Sequence, residues 1–452
     1  TNGYHPLWML ALVPLAAVFS DPNHLLVSVA VLLGALWALS VREALRIGRL
    51  VGCWPCAAGA VAVYGVLTVL TGHLAFNGME SALLLPLFLV LVRVGLEADD
   101  DPTDDLRLGV VLALVCLARL DAVAAAVPLG LVLLFRSPLS RPRRVRRALA
   151  LAVPPGVALG GYLLVNATVF GSAMPVSGRA KSLGAPFVNL EPLTQFARAG
   201  DVAGRSLWFG VAASALVVGA WCTRAWRAER RLGRLMACTL ALVVGEALLL
   251  TYLMFGTSYR VWPWYHYQVA LFAFLAAIVV ARSAVDRFGP VVPQVCLAAA
   301  AVFLVVQVGV VFRPEDPAYA ASVTGARFVD ENLADDAVLA MGDRAGIFGF
   351  LARRPLLHLE GLVADSSYLD DLDGGRAAAR MVSDGVGYYV RYGSDGERVV
   401  VDGRACERFD EPLQGDGPKL WVVVCDDDRV FADGDDGDRL QIWHLRPELN
   451  GG

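Results

Sequence analysis

Residues 290–312 read PVVPQVCLAAAAVFLVVQVGVVF, a stretch of 23 residues without one charged side chain. A helix needs about 20 predominantly apolar residues to cross the hydrocarbon core of a bilayer. This stretch therefore predicts a membrane-spanning helix. The whole chain of 452 residues is 56% hydrophobic and 18% charged, whereas a soluble protein has roughly 45–50% apolar and 25% charged residues. We therefore expect further spans upstream.

Other apolar segments precede this one, and with it they predict ten crossings. Two of them are short, and they form either a tight re-entrant pair or two tilted helices around Arg119 and Asp121. The stretch from Pro6 to Ser20 is also too short to span comfortably, and it predicts a helix lying in the membrane interface. The further predicted crossings lie at about 24–40, 54–72, 79–95, 107–118, 121–135, 148–166, 206–222, 235–255 and 264–281.

The charge balance changes after the last apolar segment. Residues 1–312 contain 24 Lys/Arg and 15 Asp/Glu, whereas residues 313–452 contain 15 and 28. We therefore predict a polytopic membrane domain at 1–312 and a soluble α/β domain at 313–452. No basic face suits a duplex, so no nucleic-acid partner is expected. The soluble domain is predicted to have helices near 318–332 and 345–353, and strands at 337–341, 356–359, 387–391, 398–401, 420–424 and 440–445.

Arginine-rich loops set the expected orientation in the membrane. If the ten crossings hold, the loops at 42–49, 136–147, 224–234 and 282–287 all lie on one side. Short cytoplasmic loops have an excess of Lys and Arg, so this side is predicted to be cytoplasmic. The chain is then a multi-pass protein of the cytoplasmic (inner) membrane, with the 313–452 domain outside the cytoplasm.

The same layout predicts which cysteines form a disulfide. Cys406 and Cys425 belong to the exported domain and are predicted to pair, because disulfides persist in oxidising compartments. Cys53 and Cys56 have the spacing of a redox pair or half a zinc site, but no second Cys pair or His is near in sequence. Two small apolar residues at a helix end are the better interpretation. No metal-binding motif is found, and the acidic run at 433–438 indicates a solvated turn.

Polar side chains in the loops opposite the arginines predict a functional site, because such groups at membrane depth are costly. Each has an ordinary alternative. His5 would orient the interfacial helix, Glu80 would cap a helix, and Arg119 would pair with Asp121. The aromatic residues would form an interfacial belt. These loops contain Asn2, Tyr4, His5, Asn77, Glu80, Arg119, Asp121, Ser177, Arg179, Lys181, Tyr259, Arg260, Trp264, Tyr265, His266 and Tyr267.

Several motifs resemble those of bacterial multi-pass GT-C glycosyltransferases that use polyprenyl-phosphate sugars, a branch that includes cell-wall arabinofuranosyltransferases and mannosyltransferase-like proteins. The resemblance rests on TNGYHPLW at 1–8, NGMES at 77–81, ARLDA at 118–122, PVSGRAK at 175–181, GDRAG at 342–346 and LEGLV at 359–363. It implies a GT-C-like fold and an inverting sugar transfer from a polyprenyl-phosphate donor to an extracytoplasmic glycan, lipid or protein. The carrier lipid is the only cofactor-like molecule expected. The catalytic aspartates of this family precede the segment at 1–8, so the catalytic base is expected upstream of Thr1.

The site hypothesis places the donor phosphate beside Arg260, with Lys181 or Arg179 as the second cation and His266 close by. Arginine would stabilise the departing phosphate through two parallel hydrogen bonds, or its side chain would instead extend to lipid headgroups. The other predicted substrate-binding residues are Tyr265, His5, Asn2 and Glu80. The competing hypothesis is a non-enzymatic lipid or polysaccharide transporter with an extracytoplasmic binding domain.

Overall fold

The structure is a computed structural model that describes residues 4–70, 79–190, 229–258, 263–311, 317–393, 396–412, 417–434 and 439–450. The predicted crossing at 206–222 lies outside the described residues. So do Asn2, Asn77 and Arg260 of the predicted site. The predicted domain boundary at 312/313 falls at another such gap and stays a prediction.

The N-terminal part of the chain is helical and the C-terminal part is α/β, which confirms the predicted fold class at this level. Apart from 206–222, each predicted crossing lies on a described helix. Within the described residues, four helices, α2, α7, α9 and α10, are long and apolar enough to cross a membrane, so the number of crossings stays a prediction. The helices are α1 (Pro6–Val18), α2 (Pro22–Leu50), α3 (Trp54–Leu70), α4 (Ser81–Glu97), α5 (Pro102–Ala118), α6 (Val123–Leu134), α7 (Arg141–Phe170), α8 (Val176–Ser182), α9 (Arg230–Gly256), α10 (Tyr267–Phe288) and α11 (Val291–Val311).

Helix α2 continues ten residues beyond its predicted end at 40, so the predicted loop at 42–49 is helical. Tertiary packing explains the extension. Ala44 and Ile47 are completely buried, and Glu43 forms an ion pair with Arg93 on α4. The basic segment at 141–147 likewise forms the first turns of α7. Arginines predicted to lie in loops thus lie on the ends of helices.

Cys53 and Cys56 form a disulfide, so their interpretation as two small apolar residues was wrong. Cys53 immediately precedes α3 and Cys56 lies in its first turn, which leaves their Cα atoms 5.4 Å apart. That separation lies within the range of disulfides. Disulfides are rare in the cytosol, where thiols are kept reduced. This bond therefore argues against the predicted cytoplasmic location of this end of α3, and the orientation in the membrane stays a prediction.

A cluster of buried charges lies at the first turns of α5 and α7 and just after the end of α6. Asp105 on α5 accepts hydrogen bonds from Arg136 at 2.8 Å and from Arg147 at 3.0 Å. Arg147 also donates to Asp100 and to the Ser137 hydroxyl. Asp105 is 3% exposed and Arg147 is fully buried. This cluster fastens three helices at one end of the membrane domain.

The C-terminal α/β part has two sheets. One has the strand order β2-β1-β3-β8-β7, with β1 parallel to β2 and β3, and β8 antiparallel to β3 and β7. The other is the antiparallel sheet β4-β5-β6. The strands are β1 (Val338–Met341), β2 (Leu356–His358), β3 (Val386–Tyr392), β4 (Glu397–Val401), β5 (Arg404–Glu411), β6 (Leu420–Cys425), β7 (Arg429–Asp433) and β8 (Leu440–His444), and the helices are α12 (Pro317–Asn332), α13 (Ala345–Ala352), α14 (Ser366–Asp373), α15 (Ala377–Ser383) and α16 (Pro447–Asn450).

Every element predicted for this domain is found, and two strands and three helices were missed. Strand β5 reads RACERFDE, in which charged residues hide the usual apolar alternation. Ion pairs such as Arg408 with Glu397 accommodate those charges on one face. Cys406 and Cys425 lie opposite each other on β5 and β6 and form the predicted disulfide, which confirms the pairing.

The partly buried His358 makes the stability of this domain depend on pH. Burial lowers the pKa of His358 from its ordinary value near 6.5 to about 4. The free energy of unfolding is therefore unaffected by this histidine above about pH 6.5. It decreases by about 3 kcal/mol as the pH falls towards 4, because the unfolded chain binds the proton more readily. We expect the midpoint of thermal unfolding to fall over this range and His358→Gln to flatten the curve. An unchanged pH profile in His358→Gln, compared with a control at the exposed His444, would exclude this role.

Candidate functional site

Ionisable and aromatic side chains meet where α4 begins, where α5 and α9 end, and where α10 begins. Helix α4 is about 25 Å long at 1.5 Å per residue, so it separates this group from the charges around Asp105. His5, which precedes α1, and Lys181 on α8 lie against the same end. We call this group the polar cluster; its members are His5, Glu80, Arg119, Asp121, Lys181, Glu246, Tyr265, His266 and Tyr267.

Arg119 lies at the centre of the polar cluster and is 2% exposed. Its Nε donates to both carboxylate oxygens of Asp121, at 2.8 and 3.0 Å. One of its terminal nitrogens lies 3.1 Å from Glu80 Oε1. The guanidinium is 4.9 Å from the ring centre of Tyr265 and 5.2 Å from that of Tyr267. The predicted pairing with Asp121 is confirmed, and Arg119 also links two carboxylates to two aromatic rings.

Glu80 is not a capping side chain, so that alternative was wrong. It occupies the N-cap position of α4 with helical backbone angles, and its carboxylate makes no capping hydrogen bond. The carboxylate instead contacts Arg119, and it lies 3.4 Å from His5 Nε2. Burial lowers the pKa of His5, although the Glu80 carboxylate opposes this effect. Burial thus favours the neutral form of the His5 imidazole.

Lys181 reaches the polar cluster from α8. Its Nζ donates to the Tyr265 hydroxyl and lies 5.1 Å from the centre of that ring. The backbone around it is held by Ser258 at the end of α9, whose N–H donates to Lys181 O at 2.8 Å and whose hydroxyl donates to Leu183 O at 2.6 Å. The predicted site residues Lys181, Tyr265, His5 and Glu80 therefore lie in one place.

Glu246 was missed by the sequence analysis. It lies within the apolar helix α9, is 6% exposed, and its Oε1 is 2.7 Å from His266 Nδ1. Its Oε2 has no hydrogen-bond partner among the described residues. A single carboxylate inside the apolar run LALVVGEALLL was a sufficient signal, because such residues in spans are rare and mark functional sites.

Arg179 lies outside the polar cluster, although only one residue separates it from Lys181. Its guanidinium pairs with Asp370 on α14 and donates to Ser366 O at 3.4 Å. The structure thus brings Lys181 to the cluster and directs Arg179 to the α/β domain. Arg260 and Asn2 lie outside the described residues, so their predicted roles stay predictions.

The composition of the polar cluster defines its chemistry. It has three carboxylates, the basic side chains of Arg119 and Lys181, and two histidines. Arg119 contacts two of the carboxylates, while the third pairs with His266. In the described part of the chain, no three His, Cys, Asp or Glu side chains are arranged to hold a metal ion. Its carboxylates and phenols can form hydrogen bonds with the hydroxyl groups of a ligand. An imidazole can transfer a proton, and Lys181 can bind an anion.

Comparison with known proteins gives a match to solved structures only. No protein-family model matches the sequence, and no curated protein does. One similar structure is the apo form of the oligosaccharyltransferase of Archaeoglobus fulgidus, with 11% identity, a TM-score of 0.49, and coverage of 86% of this chain and 62% of that one. Another is the oligosaccharyltransferase AglB of the same organism with an inhibitory peptide and a dolichol-phosphate, with 12% identity, a TM-score of 0.45, and coverage of 86% and 61%. The chain thus spans about three fifths of these proteins.

Proposed function

We propose that this chain is a membrane glycosyltransferase of the GT-C type, which moves a sugar from a polyprenyl-phosphate donor to an acceptor outside the cytoplasm. The observation that carries the proposal is the polar cluster, in which the buried side chains of Glu80, Arg119 and Glu246 lie beside partly buried acidic, basic and histidine side chains of apolar helices. Buried ionisable groups at such a position are expensive and mark functional sites. The motif resemblance at 1–8, 118–122 and 175–181 supports the same activity.

Lys181 is the residue we assign to the donor phosphate. When the bond between the sugar and the phosphate breaks, negative charge develops on the leaving phosphate, and a fixed cation stabilises it most in a site that excludes water. The Tyr265 hydroxyl bonded to Lys181 supplies a second donor to the same oxygens. Arg260 is the further cation in this proposal.

The acceptor is an extracytoplasmic glycan, lipid or protein with a hydroxyl or amide nucleophile, and its proton must be removed as it attacks. Glu246 orients the His266 ring through its Nδ1, so among the described residues this imidazole is the group we assign to that proton. The carboxylate base expected upstream of Thr1 stays a prediction. Asp121 is the more exposed of the two carboxylates held by Arg119, with 18% of its side chain accessible against 7% for Glu80. We assign Asp121 to sugar hydroxyls. Direct attack on the anomeric carbon inverts its configuration.

A transfer assay tests this proposal. Full-length protein in lipid nanodiscs is given polyprenyl phosphates that carry different radiolabelled sugars, together with membrane extract as the acceptor source. We expect one donor to lose its label to an acceptor and to release polyprenyl phosphate. If all donors stay intact while the protein in liposomes moves a labelled lipid or polysaccharide across the membrane, the chain is a transporter and the proposal is wrong.

A further inference from the structure

Residues 176–184, which we call the strut segment, contact the α/β domain on one side and the membrane domain on the other. Val176 is 4% exposed and belongs to the hydrophobic core of the α/β domain, together with Leu359 and Tyr368. Ala180 and Leu183 pack against the same core. A helix of seven residues is too short to be stable alone in water, so these contacts determine where α8 lies.

An ion pair, a hydrogen bond and a close approach of two glycines also hold the strut segment against the α/β domain. Arg179 pairs with Asp370 and donates to Ser366 O, and both partners lie on α14. Beyond α8, Gly184 has a φ of +62°, and a Cβ at this position would lie 2.7 Å from Gly417 Cα. A Cβ at Gly417 would lie 2.6 Å from Leu183 O, a separation too short for real atoms. The α/β domain therefore approaches the strut segment backbone to backbone.

The opposite side of the strut segment is fastened to the polar cluster. Lys181 contacts Tyr265, and Ser258 bonds to the carbonyls of Lys181 and Leu183. Farther along, Asn189 N–H donates to Met254 O at 2.7 Å and its side-chain amide donates to Thr257 O at 2.9 Å. Residues 179 and 181 are about 200° apart around a helix, because each residue turns it by about 100°. This angle directs Arg179 to one domain and Lys181 to the other.

We propose that Arg179 and Asp370 are positioning residues, and that through the strut segment the α/β domain sets the place of Lys181 in the polar cluster. The α/β domain thereby acts on the donor phosphate through one lysine. This inference rests on the proposed function for the role of Lys181, whereas the mechanical link is a property of the fold. A shift of this domain would withdraw the cation from Tyr265 and would break the hydrogen bonds from Ser258 to the carbonyls of Lys181 and Leu183.

Lysine labelling measures the link without any substrate. Lys181 and Lys419 are the two lysines of this sequence, so the acetylation rate of each can be followed by peptide mass spectrometry in the full-length protein. Loosening the strut segment releases Lys181 from Tyr265 and exposes it. We expect Arg179→Asp, which places two carboxylates together, to raise the rate at Lys181 about fivefold. The double variant Arg179→Asp, Asp370→Arg should restore the original rate, while Lys419 is labelled equally in all three proteins.

A second variant makes the test independent of charge. Gly417→Ala inserts a methyl group against Leu183 O, and we expect labelling of Lys181 to rise about tenfold. Gly346→Ala is the matched control, since its Cβ would meet no atom within 4 Å. Unchanged labelling of Lys181 in both Arg179→Asp and Gly417→Ala would overturn the proposal. If labelling changes as expected but no variant or parent protein transfers sugar, the link stands and the proposed function fails.

Discussion

Replacing Lys181 with alanine is expected to lower the rate of sugar transfer about 100-fold or more, because removal of one donor that stabilises developing charge costs about 100–1,000-fold in kcat. The leaving phosphate would lose both the ammonium group and the Tyr265 hydroxyl that Lys181 holds. Binding of the lipid tail should be unaffected, so kcat should fall more than KM rises. Initial rates of polyprenyl-phosphate release in nanodiscs measure this split.

Lys419→Ala is the matched control for this prediction. It removes the other lysine of the sequence, which donates to Pro412 O in the α/β domain. We expect a normal rate. Lys181→Arg retains a cation and should keep part of the activity, although a planar guanidinium is not equivalent to a compact ammonium. A nearly normal kcat in Lys181→Ala would remove this residue from the donor site.

Replacing Asp105 with alanine is expected to destabilise the membrane domain by about 3–5 kcal/mol, because it leaves buried cations without their partner. Both Arg136 and Arg147 contact this carboxylate, and they are 5% and 0% exposed. The midpoint of thermal unfolding in detergent should fall by several degrees. Asp105→Asn retains hydrogen-bonding capacity and should have a smaller effect.

The control for Asp105 is Asp336→Ala, which makes the same substitution at an exposed turn. A surface change of this kind should alter the stability by no more than about 0.5 kcal/mol. Equal midpoints for Asp105→Ala and Asp336→Ala would show that the buried charge cluster does not hold α5, α6 and α7 together. Sugar transfer by Asp105→Ala below its unfolding midpoint should stay near normal, since the polar cluster lies at the other end of these helices.

Helices and strands with a clear apolar pattern were predictable from the sequence. The charge-free run at 290–312 lies largely on α11, and the strands at 337–341 and 440–445 appear within a residue or two. Strand β5 and helix α14 were not predictable in this way, because many of their residues are charged. Ion pairs with neighbouring strands stabilise β5, and apolar residues of α14 pack into a core formed by distant parts of the chain. Glu246 was visible as a carboxylate within an apolar run and should have been included in the candidate site.

By itself the sequence determined the change from an apolar helical part to an acidic α/β part. This feature depends on composition and on local periodicity, which each segment carries alone. The pairing of Cys406 with Cys425 was predicted from the sequence, but the pairing of β5 with β6 brings the two residues together. Only the tertiary structure decided which loop residues meet. Arg119 joins Glu80 across 39 positions, and Glu246 joins His266 across 20. Arg179 and Lys181 face different domains because α8 is packed between the α/β domain and the membrane domain. Such packing depends on contacts between segments that are far apart in the sequence, so no single segment encodes it.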